Sequence, residues 1–273
     1  MTIIGGIYAK KKHRKWQFPN CLEAMDGKHI RITKPFHSGS DFFNYKDFFS
    51  IVLFALVDAD FNFMYVDIGS EGRISDGGVY NHSKLRGKIR DGSLNFPADS
   101  ALPGRTKYVP YVFLTDDAFA LTPRTMKPYV GVHKLGSKQR RFNGCLSRAR
   151  CVVENAFGIS SAVFRVLRKP MLLEPKKATT VLMTVACLHN FLRQGQSSRN
   201  MYTPPGTSDE TDADGNIIVP GAWRTTENNC RVTSLASTTT SARNYSKRAK
   251  EVREEYATFL HERREREKRN ERS

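Results

Sequence analysis

FFSIVLFALVDADFNFMYVDIG (48–69) reads as two apolar strands joined at Asp58–Asp60. The Asp-Ala-Asp break suits a tight turn between antiparallel partners. Ahead of it, CLEAMDGKHIRIT (21–33) alternates Ile30 and Ile32 with His29, Arg31 and Thr33, which predicts another strand. Beyond it, SDGGVYNHSKLRGKIR (75–90) reads as a helix start and a short helix, with Ser75 or Asp76 as cap. A Pro/Gly-rich loop spans 93–107, and VPYVFLTDD (109–117) is a fourth strand ending in two acids.

The second half is helical. Residues 120–142 form a Pro-containing basic connection holding Lys127, Lys134, Lys138, Arg140 and Arg141. Leu146, Ala149, Val153, Ala156 and Phe157 fall at helical spacing and predict a helix over 145–160. Val181, Leu182, Val185, Leu188, Phe191 and Leu192 give a broad apolar face to a second helix, 176–193. Residues 195–242 lack periodicity and read as a linker or extended arm. A last helix, 246–265, carries Ala249, Val252, Tyr256, Phe259 and Leu260 on one face and ends in solvated charge. The expected organisation is a basic arm (1–18), a catalytic domain (19–194), the linker or arm (195–242) and a charged C-terminal helix (243–273).

Composition narrows the partners. Lys and Arg number 44 against 27 Asp and Glu, a formal charge of +17. Repulsion among surplus cations opposes compaction, so a polyanion is the natural partner. A hydrophobic fraction of 39% and an aromatic fraction of 11% argue against a disordered basic tail. The cysteines, Cys21, Cys145, Cys151, Cys187 and Cys230, form no CxxC pair. Neither a zinc ribbon nor a disulfide framework is indicated, and a reducing compartment fits. No window approaches the ~20 apolar residues of a membrane span, and no signal peptide is expected.

Asp26 lies in or at the end of an apolar strand, Asp116 ends another, and Glu154 sits on a helix between Val153 and Asn155. Carboxylates in apolar surroundings are costly unless something positive compensates. Divalent cations would do so: Mg²⁺ takes oxygen ligands, and carboxylates from separate elements can hold two such ions.

FPNCLEAMDGKHI (18–30), FNYKDFFSIVLFALVDADFNF (43–63), VDIGSEGRISDGGVY (66–80), VPYVFLTDDAFAL (109–121) and above all LSRARCVVENAFGI (146–159) resemble the PIF/Harbinger transposases and the Harbinger-derived nuclease proteins of animals. The likeness resumes in YTPPGTSDETDADGNIIVPGAW (202–223) and RNYSKRAKEVREEY (243–256). The resemblance implies an α/β, ribonuclease-H-like mixed sheet flanked by helices, here with a C-terminal extension and helix. It further implies a DDE triad of Asp26, Asp116 and Glu154 that is catalytic and holds Mg²⁺ or Mn²⁺. Asp76, in GRISDGG, matches a further family acid and is an auxiliary ligand or a helix cap. The pattern departs from the family at Glu23, Thr115, Ala120, Gly144 and Cys145, and only about eighteen residues precede the domain where such transposases carry a helical region.

Around the triad, Lys28 is either a phosphate contact or an exposed strand charge. Arg150 either pairs with Glu154 at i,i+4 or contacts phosphate. Lys134, Lys138, Arg140 and Arg141 could reach the nucleic-acid backbone, fixing position rather than sequence. His189 reads as a hydrogen-bonded core histidine, with a ligand role as the alternative. The basic cluster Lys10–Lys12, Arg14 and Lys15 is a nuclear-localisation signal, a DNA-backbone arm or plain surface charge. The expected activity is metal-dependent cutting of DNA in the nucleus, with strand joining as a further step and the cytoplasm as a second location. The resemblance suggests a Myb-like DNA-binding companion, and oligomeric state stays open. The alternative is a domesticated, non-catalytic DNA- or protein-binding factor; an RNA-cutting nuclease on the same fold is a third.

Overall fold

The computed structural model describes residues 2–3, 18–212, 215–227, 232–234 and 245–270. The basic cluster at 10–15 and Cys230 lie outside them.

The sheet is built around Ser50–Val57 (β3), whose side chains alternate between two separate cores. Ile51, Leu53, Ala55 and Val57 enter the larger core, and Val52, Phe54 and Leu56 the smaller. A strand buried on both faces needs the apolar run seen in the sequence. β3 pairs antiparallel with Phe63–Glu71 (β4) on one side and Cys21–Arg31 (β2) on the other. β4 also pairs with the edge strand Thr2–Ile3 (β1).

The expected turn after β3 holds. Asp58 Oδ1 accepts from the backbone N–H groups of Asp60 (2.7 Å) and Asn62 (3.0 Å). Phe61 sits in the left-handed region at φ 59°, which is uncommon for such a side chain. His189 and Arg193 hold the turn: His189 Nε2 donates to Phe61 O at 2.7 Å, and Arg193 Nε donates to Asp60 O at 3.0 Å. The other ring nitrogen of His189 lies 3.0 Å from Ser160 Oγ and 2.8 Å from Tyr202 Oη. Burial lowers its pKa to about 3. His189 is therefore a neutral core histidine, as its sequence setting predicts.

Asp76–His82 (α1) and Lys84–Arg90 (α2) replace the single predicted helix. Ser75, not Asp76, caps α1 by accepting from Gly78 N–H. Ser100–Ala101 (β5) and Tyr108–Val109 (β6) form a small hairpin. The fourth strand is shorter than expected, Val112–Leu114 (β7), and runs parallel to β2; Thr125–Met126 (β8) pairs parallel to β7. Pro110, which cannot donate to a ladder, stands between β6 and β7.

Lys138–Val163 (α3) starts seven residues before the predicted 145. Ser137 caps it, its hydroxyl accepting from Arg140 N–H. Lys138, Arg140 and Arg141 thus belong to the helix rather than to a connection. Leu146, Ala149, Val153, Ala156 and Phe157 all face the larger core. Pro175–Leu192 (α4) packs against β4, but its apolar face is narrower than expected. Leu188 is 43% and Phe191 66% exposed.

Of the span 195–242, read as a linker or extended arm, residues 213–214, 228–231 and 235–242 lie outside the described ones, and the rest is structured. It holds Gln196–Tyr202 (α5), the hairpin Glu210–Thr211 (β9) and Ile217–Val219 (β10), Ala222–Glu227 (α6), and Val232–Ser234 (β11), which pairs antiparallel with β2. Lys247–Asn270 (α7) lies against α3. Its buried side chains include all five predicted, and Tyr256 Oη donates to Pro110 O at 2.8 Å. Among the described residues no helix is long and apolar enough to cross a membrane.

Candidate active site

β2 is the strand that places the first acid. The ladder to β7 shifts register between Cys21 and Ala24. Cys21 lies in the larger core and Leu22 in the smaller, yet Ala24 returns to the larger and Met25 to the smaller. An irregularity of this kind re-aims side chains. From Ala24 onward the even positions look towards α3, with Asp26 opposite Ala55 and Lys28 opposite Leu53. Asp26 therefore points at the helix that carries Glu154.

Asp26 is buried, and its Oδ1 accepts from Gly27 N–H at 2.9 Å. Asp116 follows β7, where Thr115 anchors the strand end by donating from Oγ1 (3.1 Å) and N (2.9 Å) to Met126 O. Asp116 Oδ1 accepts from Ala118 N–H at 3.0 Å. The next turn is tied by buried Lys127, whose Nζ donates to Asp117 O and to Tyr245 Oη. Arg150 lies between the acids. Its Nη2 is 3.1 Å from Glu154 Oε1 and 3.9 Å from Asp26 Oδ2.

Burial, and then the charge of Asp26, push the Asp116 carboxyl up to about 6, against the pull of Arg150. The fold thus favours the protonated form of Asp116. For a group raised above its unfolded value, stability is full below that unfolded value and is lost as pH rises through the folded one. We expect the metal-free protein to lose stability between about pH 4 and pH 6. Urea unfolding in a chelator across that range measures it; a rise in stability over the window would contradict the Asp26–Asp116 proximity.

The expected residues do not all meet. Asp26 and Glu154 both pair with Arg150, so the i,i+4 pair is real and extends to the strand, while Asp116 is linked to Arg150 and Asp26 electrostatically. Lys28 is not an exposed strand charge: it is buried, with Nζ 5.9 Å from the centre of the Phe157 ring. Arg141 is buried too, whereas Lys134 and Arg140 are exposed. Lys138 is ion-paired with Glu254. Asp76 is the first residue of α1, and its side chain lies outside the described set.

Sequence reasoning missed Arg224. Its Nη2 stands 3.8 Å from Glu154 Oε2. It arrives on residues 203–212 and 215–227, a strap laid across α3. Trp223 covers Gly158, where a Cβ would come within 2.2 Å of the indole. Asn155 Oδ1 accepts from Trp223 Nε1 (2.7 Å) and from Asp209 N–H (2.9 Å). No local periodicity marks such a segment, because hydrogen bonds rather than an amphipathic face seat it.

Among the described residues no three His, Cys, Asp or Glu side chains stand close enough as placed to hold a metal ion. The acids around Arg150 offer carboxylate oxygens, which suit Mg²⁺ or Mn²⁺ over a softer ion. Asp116 is raised first by burial and then by the charge of Asp26, so a cation beside it would favour its ionised form.

A helix-flanked mixed sheet with acids on its central strand, after its parallel neighbour and on the covering helix is a ribonuclease-H-like domain of the nuclease type. The sequence agrees: residues 25–190 match the DDE superfamily endonuclease family, and the chain belongs to it. It is similar to Protein ALP1-like of Arabidopsis thaliana, with 27% identity over 177 residues, or 64% of this chain and 43% of that protein. The chain therefore spans less than half the length of that relative. No solved structure matches the chain significantly. The family resemblance and fold class expected from the motifs are borne out.

Proposed function

We propose that this domain hydrolyses DNA phosphodiester bonds in a divalent-metal-dependent, transposase-like reaction in the nucleus, with Asp26, Asp116 and Glu154 as its catalytic acids. What supports the reading is that Arg150 is ion-paired with both Glu154 and Asp26, and that the charge of Asp26 acts on Asp116. Asp26 and Asp116 would hold Mg²⁺ or Mn²⁺, with Glu154 as third ligand and Asp76 as an auxiliary one. When bound, the metal supplies an activated water and charge stabilisation at the leaving oxygen.

The chain's own residues supply orientation. Thr115 and Lys127 fix the two ends of the turn that presents Asp116. Arg150, ion-paired with Glu154 and Asp26, would stand beside a phosphate held at these acids. Exposed Lys134 and Arg140 extend a basic track along the start of α3 for flanking phosphates. Buried Lys28 and Arg141 are better suited to supporting that wall than to touching DNA. A Myb-like companion would add the sequence recognition that backbone contacts lack.

Arg150 also favours a second reading. A guanidinium already bridging Asp26 and Glu154 could replace the metal for good, leaving a DNA-binding factor that does not cut. Incubating purified protein with supercoiled plasmid separates the two. We expect open-circle product with Mg²⁺ or Mn²⁺ and none in chelator. Retention of DNA without nicking in either metal would establish the binder.

A further inference from the structure

Arg224 is held more firmly than an ion pair on the rim of a site requires. Its Nε and Nη2 donate to the two oxygens of Asp209 at 2.6 and 2.8 Å. The Asp209 side chain is 0% exposed, and its Oδ1 also accepts from Gly221 N–H at 2.8 Å. The guanidinium carbon of Arg224 lies 4.3 Å from the centre of the Trp223 ring. A bidentate carboxylate and an aromatic face together fix the plane of a guanidinium. The edge turned away from Asp209 is the one left for another anion, and the side chain is 30% exposed.

Glu154 does not fill that role, because 3.8 Å is beyond hydrogen-bonding range. Arg150 flanks the same carboxylate from its other side at 3.1 Å. Two arginines therefore bracket Glu154, one from α3 and one from the strap. The strap lies past residue 190, where the family match ends.

We infer that Arg224, aimed by Asp209 and Trp223, is a DNA-phosphate-binding residue beside Glu154, so that the strap supplies part of the substrate cleft. This rests on DNA being the substrate, as proposed above. Ordering the guanidinium in advance lowers the entropic cost of gripping a phosphate. Because the strap and not the matched domain carries it, a chain cut after α4 would keep the acids and lose this contact.

The test is fluorescence anisotropy of a labelled duplex across a salt series, with Ca²⁺ present to suppress cutting. Removing Arg224 alone would strand the buried Asp209 carboxylate and unseat the strap. The informative variant is therefore Asp209→Asn/Arg224→Gln, which removes both charges together. Amide hydrogen exchange over 207–224 checks that the strap stays seated. We expect affinity to fall about fivefold to tenfold, and the slope of log K against log salt to shrink by about 0.9, the loss of one phosphate contact. Arg224→Lys should keep the slope while losing part of the affinity.

An unchanged slope with a seated strap overturns the inference and leaves the functional proposal standing. Equal weakening in all variants, together with lost strap protection, also overturns it, since Arg224 would then be only structural. A parent protein that binds no duplex at any salt removes both the inference and the DNA reading beneath it.

Discussion

Replacing Asp26 by Asn should lower metal-dependent nicking by about 10³-fold or more while leaving the protein folded, because metal stabilisation of the transition state is worth several kcal/mol. The fold isolates this effect. Asp26 is buried on the central strand, and its Oδ1 accepts from the backbone N–H next to it. An Asn oxygen can accept the same bond, so the strand is preserved. The substitution does remove a charge. The charge of Asp26 is the second cause, after burial, of the rise in Asp116, so Asp116 should return towards the ordinary carboxylate range. The stability lost between about pH 4 and pH 6 should shrink in the same variant. Lost cutting with an unaltered pH profile would mean that the two acids are not neighbours.

Trp223→Ala should cost about 3–5 kcal/mol in the seating of the strap, the usual range for truncating a buried Trp. Trp223 is 4% exposed and lies on Gly158, and its Nε1 donates to Asn155 Oδ1. Its removal opens a cavity over α3 and takes away one of the two bonds that join the strap to Asn155. The loss should be local. Exchange protection at the amides of Asp209 and Gly221 should vanish while that of β2 and β3 persists. Unchanged protection at Asp209 and Gly221 would show that the strap is held by something other than Trp223.

The sheet was legible because burial on both faces demands an unbroken apolar run, and β3 is such a run. The turn between them was legible from Asp58, whose carboxylate organises it. The two ends of α3 differ in this respect. Its core-facing residues announce themselves by spacing, but its first turn, Lys138–Arg141, is basic and shows no apolar period. Only the Ser137 cap marks where it begins. Periodicity overstated α4, where Leu188 and Phe191 fit the pattern yet stay exposed.

Residues 202–223 carry the family likeness, but the seating of the strap and the role of Arg224 escaped notice for a different reason. Its order comes from long-range partners: Asp209 with Arg224, and Asn155 with Trp223. Single-residue chemistry cannot announce such pairings. The acids were chosen by family motifs over neighbours such as Asp117. Geometry adds what the motifs could not, a guanidinium ion-paired with two of them and an electrostatic link to the third.

The most direct measurement compares Mn²⁺-dependent plasmid nicking by the parent protein with that of Asp26→Asn, Asp116→Asn and Glu154→Gln, each confirmed folded. We predict open-circle product from the parent alone. Equal residual cleavage in the three variants would contradict the assignment of these acids as the catalytic site.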